Sequence, residues 1–199
     1  MSRHRAPVVG VLALWSLPAL AHSPIKGIGN FYNGALHPFV SPAHLIALLA
    51  LGLWLGQRGL EGAKRPLLAL ALALACGLLA HRVAGDPDTD RLLLVLAASM
   101  GIAVSAAFAA PQIVVMAFAG LAGLAVGVAS GPQDVDGAAR WALLAGTLLG
   151  ATLASGYVTA MVTLIKQAWL RIAVRVMGSW LAAAALLVLA LSFAARRAS

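Results

Sequence analysis

His37, Pro38, Ser41, Pro42 and His44 stand together as HPFVSPAH directly before a long apolar run. Two imidazoles at the mouth of a membrane helix can strip water from a borderline divalent cation, because imidazole suits nickel, copper and zinc. The prolines restrict the backbone between the rings. Metal coordination is the chemistry this pair offers. The same residues also read as a helix start, with Ser41 as N-cap and Pro42 in the first turn.

The elements that must position the pair belong to a membrane. The chain is 62% hydrophobic and 10% charged, with mean hydropathy +0.94, whereas soluble domains carry about 25% charged residues. The formal charge of +8 comes from basic residues that punctuate apolar stretches and do not form an interleaved aromatic and basic face, so nucleic acid is not an expected partner. One cysteine, Cys76, rules out an internal disulfide.

Arg3 and Arg5 precede an apolar stretch from Pro7 to Leu17, and Ala19-Leu20-Ala21 supplies the small residues of a cleavage site. This predicts a signal peptide over 1–21 and a mature domain over 22–199 that begins at His22. Six apolar segments follow, at 41–57, 66–82, 92–110, 112–130, 140–165 and 173–195, each near the roughly 20 residues that cross the hydrocarbon. The expected fold is an all-α membrane protein, a six-span transmembrane helical bundle after a cleaved signal peptide. Only Ala110-Pro111-Gln112 divides the third and fourth segments, which predicts a tight helical hairpin. Trp54, Trp141 and Trp169 near segment ends fit interfacial anchors.

Short loops rich in Lys and Arg favour the cytoplasm. Arg58, Lys64 and Arg65 follow the first segment, and Lys166, Arg171 and Arg175 follow the fifth; Asp86, Asp88, Asp90, Asp134 and Asp136 occupy the alternate loops. The pattern places the chain in a bacterial inner membrane with a periplasmic mature N-terminus. Arg196 and Arg197 disagree, because they end a segment that should emerge outside. The topology gathers His22, His37, His44 and His81 at the periplasmic mouth, and these four are the candidate metal ligands. His81 beside Arg82 also suits an interface residue. Asp86, Asp88 and Asp90 resemble the opening of a calcium loop, but Pro87 and Arg91 break that pattern, which leaves a solvated acidic loop.

Gly120, Gly123 and Gly127, and Gly146 with Gly150, give small-residue spacings for close helix approach. Met100, Met116, Met161, Met177 and Cys76 are scattered as gap-fillers are. No nucleophile, base and orienting acid recur at usable spacing, so an enzyme is not expected. No resident cofactor is implied beyond a transient transition-metal ion, with membrane lipid as the surrounding partner.

On these residues the chain resembles the HupE/UreJ family of membrane proteins, associated with nickel supply to hydrogenase and urease. The family's first signature, H-P-x-x-G-x-D-H, is matched by His37, Pro38 and His44, while Ser41 and Ala43 replace its glycine and aspartate. The second, F-H-G-x-A-x-G-x-E, can be laid on LAGLAVGVA from Leu121 to Ala129, where Gly123, Ala125 and Gly127 match and Leu121, Ala122 and Ala129 replace the phenylalanine, histidine and glutamate. The resemblance implies transition-metal uptake or delivery, with nickel as the ion and a metalloenzyme maturation partner. Even one uncompensated charge at the bilayer centre costs about 3 kcal/mol on the lenient scale, and the third to fifth segments lack an acid. What survives could bind a metal at the mouth without conducting it; the alternatives are a non-transporting membrane accessory or scaffold protein, whose histidines are remnants and whose Gly-rich helices serve assembly with a partner, and a copper-handling membrane protein.

Overall fold

The computed structural model describes residues 28–84, 88–132 and 135–198. Within them the chain forms α1 (Gly29–Val40), α2 (Pro42–Gln57), α3 (Gly59–Ala80), α4 (Thr89–Ser105), α5 (Gln112–Ala129), α6 (Gly137–Thr163) and α7 (Ala168–Ala198), with no strand. The predicted leader 1–21 and His22 lie outside the described residues.

α2 is the axis of the bundle. Eleven of its 16 residues are buried, and it lies against both α4 and α6. Around it, α3 packs mainly on α5, α1 on α6 and α4 on α7. The outer faces of α3, α6 and α7 expose Leu68, Leu72, Leu153 and Trp180, an apolar surface suited to lipid rather than water.

Four helices, α3, α5, α6 and α7, are long and apolar enough to cross a membrane, and the pair α1 and α2, bent by 78°, qualifies together as a fifth. α4, with 17 residues, falls short, yet Leu93, Met100 and Val104 put it in the core. All six predicted segments are therefore helical, but their lengths do not by themselves make six spans. α4 and α5 are joined by six residues, 106–111, and touch each other, but each packs mainly elsewhere, α4 on α7 and α5 on α3.

Helix ends depart from the sequence reading where polarity and hydrogen bonding part company. α3 begins at Gly59, so Lys64 and Arg65 are helical and not in a loop. Polar residues do not interrupt backbone hydrogen bonds, and Lys64 pairs with Glu61 one turn away. α4 stops five residues before its predicted end. Phe108 N–H donates to Ala103 O at 2.9 Å and Ala107 N–H to Val104 O at 3.0 Å, closing the helix with Ala107 at φ 50°; this is a Schellman end with alanine in the position that favours glycine.

Glycines set the close crossings. A methyl group on Gly123 or Gly127 would collide with the Leu70 or Leu74 carbonyl of α3, and one on Gly146 or Gly150 with the Phe31 or Ala35 carbonyl of α1. Gly120 departs from the expected stripe, with nothing within 4 Å of such a group. Trp54 is also corrected. It is buried, donates from Nε1 to Phe108 O at 3.3 Å and meets Phe118 edge-on, whereas Trp141 and Trp169 are exposed near helix ends.

Candidate metal site

The break between α1 and α2 follows from Ser41-Pro42. A residue before proline is pushed out of the helical region, and Ser41 sits at φ −84°, ψ 117° with Pro42 in the first turn of α2. The chain turns by 78° there. Ser41 is the N-cap residue by position, but its side chain makes no capping hydrogen bond. α1, unpredicted because Gly, Asn and Pro are weak helix formers, is held by α6: Gly34 sits on the Leu143 carbonyl, and Gly146 and Gly150 on those of Phe31 and Ala35.

The break folds two sequence neighbours onto each other. His37, in the last turn of α1, and His44, in the first turns of α2, bring their ring centroids to 5.5 Å at an interplanar angle of 65°. His44 is buried and Pro38 beneath His37 is buried as well. A third donor arrives from a distant segment. Asp90, in the first turn of α4, places Oδ1 3.7 Å from His44 Nε2 while its own side chain remains 65% exposed. Two donors that share one ion through bonds of about 2.1 Å stand at most about 4.2 Å apart, so this spacing is compatible with a shared cation. As placed, no three His, Cys, Asp or Glu side chains among the described residues stand close enough to hold an ion together. The arrangement is thus an open mouth and not a closed cage.

The charges around the mouth are largely matched. Arg91 donates to Asp88 at 2.9 Å and lies 4.7 Å over the Phe193 ring. Arg82 pairs with Asp136 at 2.6 Å, which holds the Asp136 carboxyl below its ordinary range, first through that hydrogen bond and then through the charges of Arg82 and Arg140. Asp90 faces His44. The contact of Arg91 with Phe193 also brings the last turns of α7 to this acidic end.

His81 is not brought to the pair. At the end of α3 its ring is buried against Gly131, with Nδ1 2.9 Å from Leu78 O and Nε2 3.0 Å from Pro132 O. It ties the end of α3 to the loop before α6. Sequence reasoning placed Asp90 at the right end of the molecule but left it in a solvated loop. Its pairing with His44 depends on where α4 packs, and no local pattern encodes that.

Inward from His44, a polar seam joins α2 to α6. Ser155 donates to Leu48 O at 3.1 Å. The Thr159 hydroxyl lies 2.8 Å from Ser155 O and 3.3 Å from Gly52 O. One turn further, Thr163 lies 2.8 Å from Thr159 O and 3.4 Å from Gly56 O. Gly52 and Gly56 let the two backbones approach. Hydroxyls and carbonyls line this seam, and no carboxylate is among them. Cys76 is exposed on α3, and Met161 and Met177 are exposed on α6 and α7, so these three sulfur atoms lie at the surface.

The family model for HupE / UreJ proteins matches residues 10–188. No curated protein and no solved structure matches the chain. Gly123 and Gly127, the part of the second family signature that survives, serve the α3–α5 crossing, whereas His37 and His44 of the first converge at the helix break. With nearly its whole length covered by the match, the chain belongs to the HupE/UreJ family of membrane proteins, whose general roles are nickel or cobalt transport and accessory functions.

Proposed function

We propose that the chain captures a transition-metal ion, nickel by family association, at the mouth formed by His37, His44 and Asp90, for uptake or delivery to a metalloenzyme. The observation that carries this reading is His44, which has the His37 ring 5.5 Å away across the break and the Asp90 carboxylate 3.7 Å from its Nε2. In the family signature an aspartate precedes the second histidine; here Ala43 holds that place and Asp90 supplies a carboxylate from across the bundle. A negative group beside neutral imidazoles favours a divalent cation electrostatically. His81, with both ring nitrogens turned to carbonyls, is left outside the ligand set, and His22 is retained as an accessory donor from the mature N-terminus.

The topology proposed with it has α2 to α7 as six spans after a signal peptide over 1–21, with the acidic end periplasmic in a bacterial inner membrane. Support comes from the segregation of Asp88, Asp90 and Asp136 from the end that carries Arg58, Lys64, Arg171 and Arg175. Cysteine at position 88 and at position 64, in a Cys76→Ala background, should label from opposite sides with an impermeant thiol reagent. Labelling of both from one side would refute the topology.

A second reading is an accessory protein that binds metal without conducting it. The arginine-lined cavity at the opposite end favours this, because it repels a free divalent cation. Radioactive nickel uptake in cells, compared with calorimetric binding by the purified protein, separates the two. Binding with uptake supports transport, and binding without uptake supports the accessory role.

A further inference from the structure

A cavity of about 570 Å³ opens at the end of the bundle opposite His44, between the C-terminal ends of α2 and α6, the turn after α4 and the start of α7. Arg58, Arg171 and Arg175 line it, and among the described residues no Asp or Glu does. Trp54, Phe108 and Val174 supply an apolar wall. Three permanent positive charges thus surround one hollow.

Neutral groups hold two of these arginines, Arg58 and Arg175, in place. Arg58 donates from Nη1 to Ala110 O at 2.8 Å and from Nη2 to Gln112 Oε1 at 2.9 Å. Gln112 is fixed in turn by donating to Gly62 O at 3.0 Å. Arg175 Nε donates to Ser105 O at 2.7 Å. Arg58 Nε is buried with no hydrogen-bond partner. The ion pairs among the described residues are His44–Asp90, Lys64–Glu61, Arg82–Asp136 and Arg91–Asp88, and none neutralises the cavity.

Such an arrangement favours a counter-charge, chiefly at the partly buried Arg58, since Arg171 and Arg175 are exposed to solvent. Arg171 and Arg175 are one helical turn apart, where like charges repel, and Arg58 adds a third charge that is partly removed from solvent. Positive-inside sorting alone asks only for solvated cations near a helix end; it does not ask for a guanidinium tethered over a cavity by carbonyls. A cation is excluded by the same field. An anion with several acceptor oxygens fits the donor geometry of arginine, and phosphate is the group that guanidinium forks match best. Basic pockets between membrane helices are also where phospholipid head groups bind.

We infer that the cavity lined by Arg58, Arg171 and Arg175 is a binding site for a phosphate-bearing anion, either the head group of an anionic phospholipid or free phosphate. This site is separate from the metal mouth and does not depend on the metal reading. The apolar wall beside the arginines accommodates a lipid glycerol and upper acyl chain.

The test uses the full purified chain in a neutral detergent, with melting temperature followed while phosphatidylglycerol, phosphatidylcholine or inorganic phosphate is added at constant ionic strength. Phosphatidylglycerol should raise the melting temperature and phosphatidylcholine should not. A rise with inorganic phosphate equal to that with phosphatidylglycerol assigns the site to free phosphate; a rise with phosphatidylglycerol alone assigns it to lipid. Arg171→Gln should weaken the effect about tenfold in apparent affinity, and Arg171→Gln/Arg175→Gln should abolish it. Native mass spectrometry, counting retained phosphatidylglycerol on the parent and on Arg171→Gln, reads the same difference without a melting transition, should the double variant fail to fold. No rise with phosphatidylglycerol or with inorganic phosphate, or equal retention by parent and variant, overturns the inference.

Discussion

The two ends of α2 carry opposite chemistry. At its start, His44 meets His37 and the carboxylate of Asp90; at its finish, Gln57 donates to Val104 O at 3.0 Å and Arg58 reaches over an arginine-lined cavity. One central helix therefore joins a mouth that attracts cations to a hollow that repels them. Net charge alone would hide this, because +8 is a sum over two ends of different character. The contrast also separates what capture needs from what passage needs: donors are gathered at one end, and the seam between the ends offers only hydroxyls and carbonyls.

The helix that links the ends is the place to break the comparison most severely. Gly52→Leu would drive a side chain into Val158 and the Ser155 carbonyl, whose nearest atoms lie 2.8 and 2.9 Å from the first added carbon. Overpacking against backbone should destabilise the bundle by about 3 kcal/mol, seen as a lower melting temperature and weaker metal binding together. Gly120→Leu, with open space around it, should leave both unchanged.

Removing one charge sharpens the contrast without breaking the fold. Asp90→Asn keeps the shape of the first turn of α4 but removes the carboxylate facing His44. Calorimetry should show divalent binding weakened about tenfold, or about 1.4 kcal/mol, with the melting temperature nearly unchanged. Equal affinity would detach Asp90 from the site.

Ala107→Gly, at the cavity end, should raise stability by about 1 kcal/mol, since an L side chain at positive φ is strained and glycine is not. A melting curve decides this, and metal affinity should not move.

The smallest effect belongs to Arg82–Asp136. The Asp136 carboxyl is lowered in the folded state, chiefly by Arg82, so its contribution to stability is present above the ordinary carboxylate value of 3.8 and is lost as pH falls through the lower folded value. The pair is largely exposed, so solvent screens it strongly. Asp136→Asn should remove a slight stability difference between neutral and strongly acidic pH and leave metal binding unaffected.

Much of this architecture is legible in the residues. Apolar runs mark α2 to α7, because length and hydrophobicity are local properties, and Ser41-Pro42 marks the break because proline restricts its neighbour. The metal pair is legible for the same reason: His37 and His44 are close in sequence. What escapes is non-local. α1 is held as a helix by close packing on α6, through its own Gly34 and through Gly146 and Gly150 of α6, although its own composition argues against a helix. Trp54 resembles an interfacial anchor until Phe108 and Phe118 enclose it. Asp90 becomes a partner of His44 only when α4 docks against α2, and the arginine cavity exists only once three separate helix ends meet.

Metal binding by the His37→Ala/His44→Ala double variant tests the central claim most directly. Calorimetric titration of purified protein with nickel should show strong binding by the parent, sharp weakening in either single variant and none in the double. Parental binding should also weaken as pH falls, because protons compete with metal for imidazole. If the double variant, folded as judged by an unchanged melting temperature, binds nickel as the parent does and supports the same uptake in cells, the helix break is not the metal site.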